Sequence, residues 1–203
     1  MDLFSALESS EKITLDLPQA EIIYYPSFFT LEEASKIFKL ISEETPWQQD
    51  DIKLFGKTHK QPRLTALYGD EGKSYTYSGI AMHPNPFTPA ILSIKKRIEA
   101  VAGERYNSVL LNLYRDGKDS NGWHSDDEKE LGINPHIASV TFGAKRMFHL
   151  RLKQNKKLKH SLQLEHGSLL LMGQDTQHFW QHQIPKSKVI QEPRINLTFR
   201  SII

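Results

Sequence analysis

Residues 194–200 read Arg194-Ile195-Asn196-Leu197-Thr198-Phe199-Arg200, and the fold turns on this stretch. Polar and apolar residues alternate, the period of a strand with one buried face. Ile195, Leu197 and Phe199 share one face; Arg194, Asn196, Thr198 and Arg200 share the other. Asn is poorly suited to a strand, and two arginines with Asn and Thr between them make an unusual solvent face. An edge strand with a solvated polar face is the plain alternative. If the polar face instead points into a barrel mouth, the guanidiniums need anionic partners. The two arginine Cα atoms would lie roughly 20 Å apart at about 3.3 Å per residue. Long side chains leaning inward can still meet the two ends of a small dicarboxylate. The pattern fits a two-armed anion clamp.

Working back from this strand, β-forming runs follow one another at 108–114, 137–142, 147–152, 158–164, 168–172 and 178–184, with the last at 194–203. Turn-like stretches such as 115–122 and 132–135 separate them. Many short strands at this spacing suggest a sandwich, jelly roll or barrel. Two helices precede them. Thr30 with Glu33 forms a capping box, Leu31, Ala34, Ile37, Phe38 and Ile41 recur at helical spacing, and Pro46 ends the run. Thr88-Pro89 opens the second helix, which carries Ile91, Ile94, Ile98 and Val101 to a stop at Gly103. Between them, 52–77 reads as further strands and turns punctuated by Gly56, Pro62, Gly69 and Gly72. The fold class expected is α+β, with helices outside a β core. Residues 1–18 are polar and weakly patterned, a loose arm.

The 203 residues suit one domain. With 26 Lys+Arg against 24 Asp+Glu, the net charge of +2 selects no partner by itself but leaves room for a local basic patch. No cysteine is present, so disulfides, thiolate catalysis and Cys-based zinc sites are excluded, and any metal must sit on carboxylates and the nine histidines. No run approaches the ~18 apolar residues of a membrane span. The opening MDLFSALESSEKITLDLP lacks the basic-then-apolar order of a signal peptide. The expected location is the cytoplasm, or the nucleus in a eukaryotic cell.

His124-Ser125-Asp126 places an imidazole and a carboxylate two residues apart, on one side of an extended segment, where both can bind one metal ion. Alone the pattern is common. A third ligand from 178–182, His178 or His182, would make two His and one carboxylate with open positions, the facial triad of non-haem Fe(II) oxygenases. Asn112-Leu113-Tyr114 puts a polar pair on one strand face, able to hydrogen-bond the same small anion.

In this order, Asn112-Leu-Tyr114, His124-Ser-Asp126, a distant His182 and Arg194-x-Asn196-x-Thr198-x-Arg200, the chain resembles the AlkB family of Fe(II)/2-oxoglutarate dioxygenases. The terminal block is the specific part; Ser139–Gly143 and Gly167–Met172 match in kind, and the resemblance covers about residues 50–203. It implies a double-stranded β-helix (jelly roll) core. With the arm set at 1–20, the AlkB-like dioxygenase domain is expected over 21–203, and the resemblance implies a nucleotide-recognition lid at about 50–80. His124, Asp126 and His182 would hold Fe(II), His182 being preferred because it stands two residues before Ile184-Pro185. Asn112, Tyr114, Arg194, Asn196 and Arg200 would hold 2-oxoglutarate, Arg194 at the distal carboxylate and Arg200 nearer the iron. Thr198 matches the motif. The resemblance implies O2 as oxidant and no catalytic residue beyond the metal centre.

It also implies a substrate: an N-methylated base such as 1-methyladenine or 3-methylcytosine in DNA, flipped out of the stack. Tyr75 and Tyr77 share a strand face, with cross-strand packing as the plain alternative. They resemble the family's lid, where Tyr77 would stack on the base opposite His124. Glu128 matches the position that contacts the exocyclic amino group. In 51–63, Leu54-Phe55-Gly56 is surrounded by Lys53, Lys57, Lys60 and Arg63. Phe55 can wedge into the gap left by a flipped base while lysines neutralise phosphates. Family members acting on duplex DNA carry a similar finger. A second basic run at 153–160 lies in a hairpin, where it can grip the opposite strand. Duplex DNA is therefore the expected partner, with RNA or a noncatalytic nucleic-acid-binding jelly roll as alternatives. A monomer suffices.

Overall fold

The computed structural model describes residues 11–54, 56–72, 75–77 and 80–203, with residues 53, 54, 57, 75–77 and 80–82 described as backbone only. The chain opens with β1 (Ile13–Thr14), β2 (Glu21–Tyr25) and α1 (Leu31–Glu44). Next come β3 (Asp51–Leu54), β4 (Lys57–Lys60), β5 (Leu64–Gly69), β6 (Tyr75–Tyr77), β7 (Ile80–Met82) and α2 (Pro89–Ala102). The second half holds β8 (Ser108–Tyr114), β9 (Asn121–His124), β10 (Ile137–Gly143), β11 (Arg146–Leu152), β12 (Lys159–Leu164) and β13 (Ser168–Gly173). It closes with α3 (Thr176–Phe179), β14 (Trp180–Ile184) and β15 (Arg194–Arg200).

Among the described residues, a larger sheet runs β1-β2-β13-β10-β15-β8-β5 and a smaller one β12-β11-β14-β9, every pair antiparallel. From β8 onward the chain passes from sheet to sheet, the β11–β12 hairpin aside. That winding is the expected double-stranded β-helix. The two hairpins β3–β4 and β6–β7 stand apart from both sheets.

Strand alternation sorts β15 as its sequence demands. Ile195, Leu197 and Phe199 pack under the helices with Phe29, Ile91, Ile94, Ile98 and Phe142. Each such burial contributes about 1.5–3 kcal/mol. A second cluster, including Leu110, Phe148, Leu150, Leu164 and Trp180, fills the space between the sheets. Arg194, Asn196, Thr198 and Arg200 face that inner space, and all four are buried. Both helices start as the sequence indicates. The Thr30 hydroxyl accepts from Glu33 N at 3.2 Å and Glu33 Oε2 accepts from Thr30 N at 2.9 Å. Thr88 caps α2, and Gly103 ends it at φ 70°.

Two segments depart from the sequence reading. Residues 178–184 do not form one strand: His178 and Phe179 belong to the helical turn α3, whose backbone N–H groups donate to Asp175 O. The turn leaves His178 exposed and buries Gln177. The loose arm does not extend through residue 18. Ile13–Thr14 pair with β2, Leu15 and Leu17 pack against the inter-sheet core, and Trp180 Nε1 donates to Pro18 O at 2.9 Å. Among the described residues no helix is long and apolar enough to cross a membrane.

Candidate active site

β9 and β14 pair so that His124 lies opposite His182, with ring centroids 4.2 Å apart. Asp126 stands two residues beyond His124. One ligand atom from each of these three residues lies within 4.8 Å of the others. His178, exposed on α3, is outside the cluster. His124 Nδ1 lies 2.7 Å from Gly122 O, a contact that assigns the proton to Nδ1 and leaves Nε2 as the lone-pair atom. His182 stacks on Phe148 at 5.1 Å. Asp126 N donates to Gln177 Oε1 at 2.9 Å, so the buried α3 turn aims the carboxylate.

Arg200 Nη2 donates to Asp126 Oδ1 at 2.9 Å, with both side chains almost fully buried. Burial would raise the Asp126 pKa, but the Arg200 charge and the two imidazoles win and hold it near 2. Burial also pushes His182 down to about 3, helped by His124, and lowers His124 itself against the opposing pull of Asp126. At neutral pH the cluster is two neutral imidazoles and one carboxylate, the state that binds a metal.

The other end of the cleft is built by β8, β15 and β10. Asn112 pairs with Asn196, and Tyr114 with Arg194. Asn196 Nδ2 donates to Ser139 Oγ at 2.8 Å and Val140 O at 3.1 Å, and the Thr198 hydroxyl donates to Asn196 Oδ1 at 2.9 Å. Thr198 therefore braces Asn196. Arg194 is 1% exposed; its Nη2 donates to Thr141 Oγ1 at 2.9 Å and its guanidinium lies 5.1 Å from the Tyr114 ring centre. Burial, with Arg146 nearby, lowers its pKa to about 10.

Two observations test what this cleft can hold. Asp126 Oδ2 is buried with no hydrogen-bond partner among the described residues, and so are Arg194 Nε and Nη1. Buried polar atoms are seldom left unmet. A lone carboxylate oxygen beside two imidazoles fits a cation; a fork of unmet donors deeper in the same cleft fits an anion. Two His and one carboxylate with open coordination positions suit Fe(II).

The substrate residues divide. Phe55 lies outside the described residues. Tyr75 and Tyr77 are on β6, their side chains also outside. Glu128 is half-buried and leads into the turn Lys129–Leu131. In the β3–β4 finger, Lys60 is exposed and pairs with Asp51 at 2.9 Å. Lys153–His160 does span the β11–β12 connection, though Lys153 is tied to Asp127 at 2.9 Å and to Gln177 O at 2.8 Å. Arg63 requires a correction. Grouped by sequence with the phosphate-facing lysines, it is 3% exposed, and its Nε donates to Asn112 Oδ1 at 2.7 Å. Three inward-facing residues escaped the sequence reading, Gln177, Arg63 in this role, and Arg146; strand register brings the arginines in, and no local motif marks them.

The family model of the 2OG-Fe(II) oxygenase superfamily matches residues 21–200. The alpha-ketoglutarate-dependent dioxygenase alkB homolog 3 of Bos taurus is 46% identical over 191 residues, covering 87% of this chain and 64% of that protein. The chain belongs to the AlkB family. Its human alkB homolog 3 relative is 44% identical, covering 90% of this chain and 66% of that protein. Human DNA oxidative demethylase ALKBH2 is 40% identical, covering 88% and 72%. The chain thus spans just under two thirds of the length of these alkB homolog 3 relatives. The solved structure of OsALKBH1 superposes with a TM-score of 0.69 at 14% identity, covering 94% of this chain and all of that one, a likeness of fold. For an AlkB family chain, the cation and anion that the cleft fits are Fe(II) and 2-oxoglutarate.

Proposed function

We propose that this protein is an Fe(II)/2-oxoglutarate-dependent dealkylase that removes methyl groups from 1-methyladenine and 3-methylcytosine in DNA, duplex in preference to single strands. The observation that carries it is the meeting, in one cleft of an AlkB-family fold, of the His124–Asp126–His182 cluster with the unmet donors of Arg194. His124, Asp126 and His182 hold the iron. Arg194 binds the distal carboxylate of 2-oxoglutarate and Arg200 the end beside the metal, Asn112 and Tyr114 contact the same ligand, and Asn196 is held by Thr198 to face it. When bound, Fe(II) supplies the oxidation: 2-oxoglutarate and O2 give succinate and CO2, one oxygen atom entering the N-methyl group, and the N-hydroxymethyl product loses formaldehyde.

The chain's own residues do the positioning. Arg200 keeps Asp126 ionised and fixes its carboxylate. Gln177 fixes the Asp126 backbone. Tyr75, Tyr77 and Glu128 form the base pocket, Tyr77 stacking opposite His124 and Glu128 reading the exocyclic amino group. Duplex preference rests on the finger: Leu54 pairs with Lys57 in the β3–β4 hairpin, and the aromatic Phe55 of the sequence would serve as the wedge that replaces a flipped base. The basic 153–160 connection faces the opposite strand. The working unit is a monomer, with 21–203 as the dioxygenase domain.

The test is formaldehyde release from matched single- and double-stranded oligonucleotides carrying one 1-methyladenine, with Fe(II), 2-oxoglutarate and ascorbate, beside a His124→Ala protein. Release that needs both cofactors, vanishes in the variant and is greater on duplex supports the whole reading. Release confined to methylated RNA moves the substrate. Bound cofactors with no release on any methylated polymer would sink the dealkylase assignment.

A further inference from the structure

Arg146, the first residue of β11, is 2% exposed and belongs to no ion pair among the described residues. Its guanidinium is spent on three backbone carbonyls: Nη1 on Asp116 O at 3.1 Å, Nη2 on Asp119 O at 2.8 Å and on Pro185 O at 2.7 Å. These carbonyls belong to the β8–β9 loop and to the segment that follows β14. The two are also stitched together directly, Gly117 N donating to Ile190 O and Ser187 N to Gly117 O. A Cβ on Gly117 would stand 2.3 Å from Ser187 O, so the layers are in contact. Arg146 is the cation inside this clasp.

The same guanidinium lies 5.5 Å from the Tyr114 ring centre, and Arg194 lies 5.1 Å from that ring. One phenol ring therefore contacts two buried guanidiniums. Neutral carbonyls satisfy the hydrogen bonds of Arg146 but leave its charge in place. Asp119 and Asp116 favour the charge from a distance, but Asp119 is hydrogen-bonded to Arg115 at 2.8 Å and burial outweighs both acids, so Arg146 sits below its ordinary pKa. Burying two like charges this way is costly unless an anion is meant to arrive.

We infer that Arg146 is a positioning residue for 2-oxoglutarate: it clamps the Tyr114 ring against Arg194 and holds a second positive charge behind the distal carboxylate. The inference rests on the assignment of 2-oxoglutarate to this cleft. It makes Arg146, behind Arg194, a second contributor to the preference for a dicarboxylate over a monocarboxylate of the same keto-acid head. None of its described contacts is with His124, Asp126 or His182, so metal affinity should not respond to its loss.

The experiment measures binding without turnover. The full chain is loaded with Mn(II) in place of Fe(II), and calorimetry records its affinity for 2-oxoglutarate and for 2-oxobutyrate, which lacks the distal carboxylate. Arg146→Met should weaken 2-oxoglutarate about 10–30-fold, the size of one charge at that range in a partly screened interior. Affinities for Mn(II) and 2-oxobutyrate should stay within about twofold of wild type. Arg146→Lys, which keeps the charge but not the three-carbonyl grip, should recover part of the loss; if the methionine variant does not fold, the lysine variant carries the test with a loss of about 3–10-fold. Equal weakening of both keto acids, or a 2-oxoglutarate affinity unchanged in the variants, overturns the role of Arg146. A wild-type protein that binds Mn(II) but not 2-oxoglutarate would instead overturn the assignment beneath it.

Discussion

Arg63 and His182 show how far a single residue's identity speaks for its role. In sequence Arg63 sits among Lys53, Lys57 and Lys60 and looks like a phosphate contact. In the fold it is buried, and its Nε holds Asn112 Oδ1. Arg63→Met should therefore cost about 1–3 kcal/mol of stability through the acceptor it strands, and should leave the salt dependence of DNA binding unchanged. Lys60→Met should do the reverse: stability held, and the log–log salt slope shallower by about one if Lys60 meets a phosphate. A slope change in the Arg63 variant would return it to the finger. His124, Asp126 and His182 were legible because a metal site needs particular atoms, which only a few side chains supply. Arg63 and Arg146 were not, because an arginine's partner is chosen by register between distant strands. His182 adds a pH prediction. Its folded pKa, near 3, lies below the ordinary 6.5, so its contribution to stability is complete above pH 6.5 and is lost as pH falls from there toward 3. The ring is already neutral when metal arrives. Protonation of His182 should therefore weaken Mn(II) binding by less than about twofold between pH 8 and 6, whereas one ordinary imidazole in its place would weaken it about fourfold.

Elements were legible where one local rule governs them. The Thr30 box and the Thr88-Pro89 start with the Gly103 stop mark the two long helices, and β8 matches its apolar run from Ser108 to Tyr114. The α3 turn was hidden because His178-Phe179-Trp180-Gln181-His182 carries strand-forming aromatics. The helical turn is imposed by bonds to Asp175 O and by Thr176 Oγ1 donating to Gly173 O at 2.6 Å. β9 was hidden by its turn-like residues, Asn121 and Gly122. Gly143, at the end of β10, is an element boundary that only glycine fits. Its φ is +85°, and a Cβ there would stand 2.4 Å from Pro193 O and 2.7 Å from the Phe38 ring. Gly143→Ala should destabilise the protein by about 2–4 kcal/mol, since unfavourable backbone and contact terms add. Urea unfolding measures it, and a midpoint unchanged from wild type would show that the β10–β11 turn can yield.

At the scale of the molecule, the interior carries a conflict. One core, beneath the helices, is built mainly of aliphatic and aromatic side chains; the inter-sheet space holds Arg146, Arg194, Arg200, Asp126, His182, Asn112 and Asn196, all buried. Alternation in the sequence marked the polar faces of β15 and of Asn112-Leu113-Tyr114 on β8, but it could not choose between a solvated face and an inner one; that choice follows only from the closure of two sheets. A protein built so should be held together partly by what it binds. Asp126 Oδ2 and the Arg194 fork gain partners only from a cation and an anion, so each ligand should stabilise the fold separately. At a free concentration of 100 Kd, one ligand contributes about 2.7 kcal/mol. For a chain of this length that is a rise of about 5–10 °C in Tm. Mn(II) alone should give one such step and 2-oxoglutarate added to it a second. Arg194→Met should keep the first step and lose most of the second, while Asp126→Ala should lose the first. If 2-oxoglutarate raises Tm equally in wild type and Arg194→Met, the anion is not seated on β15, and the clamp read from Arg194 to Arg200 is wrong.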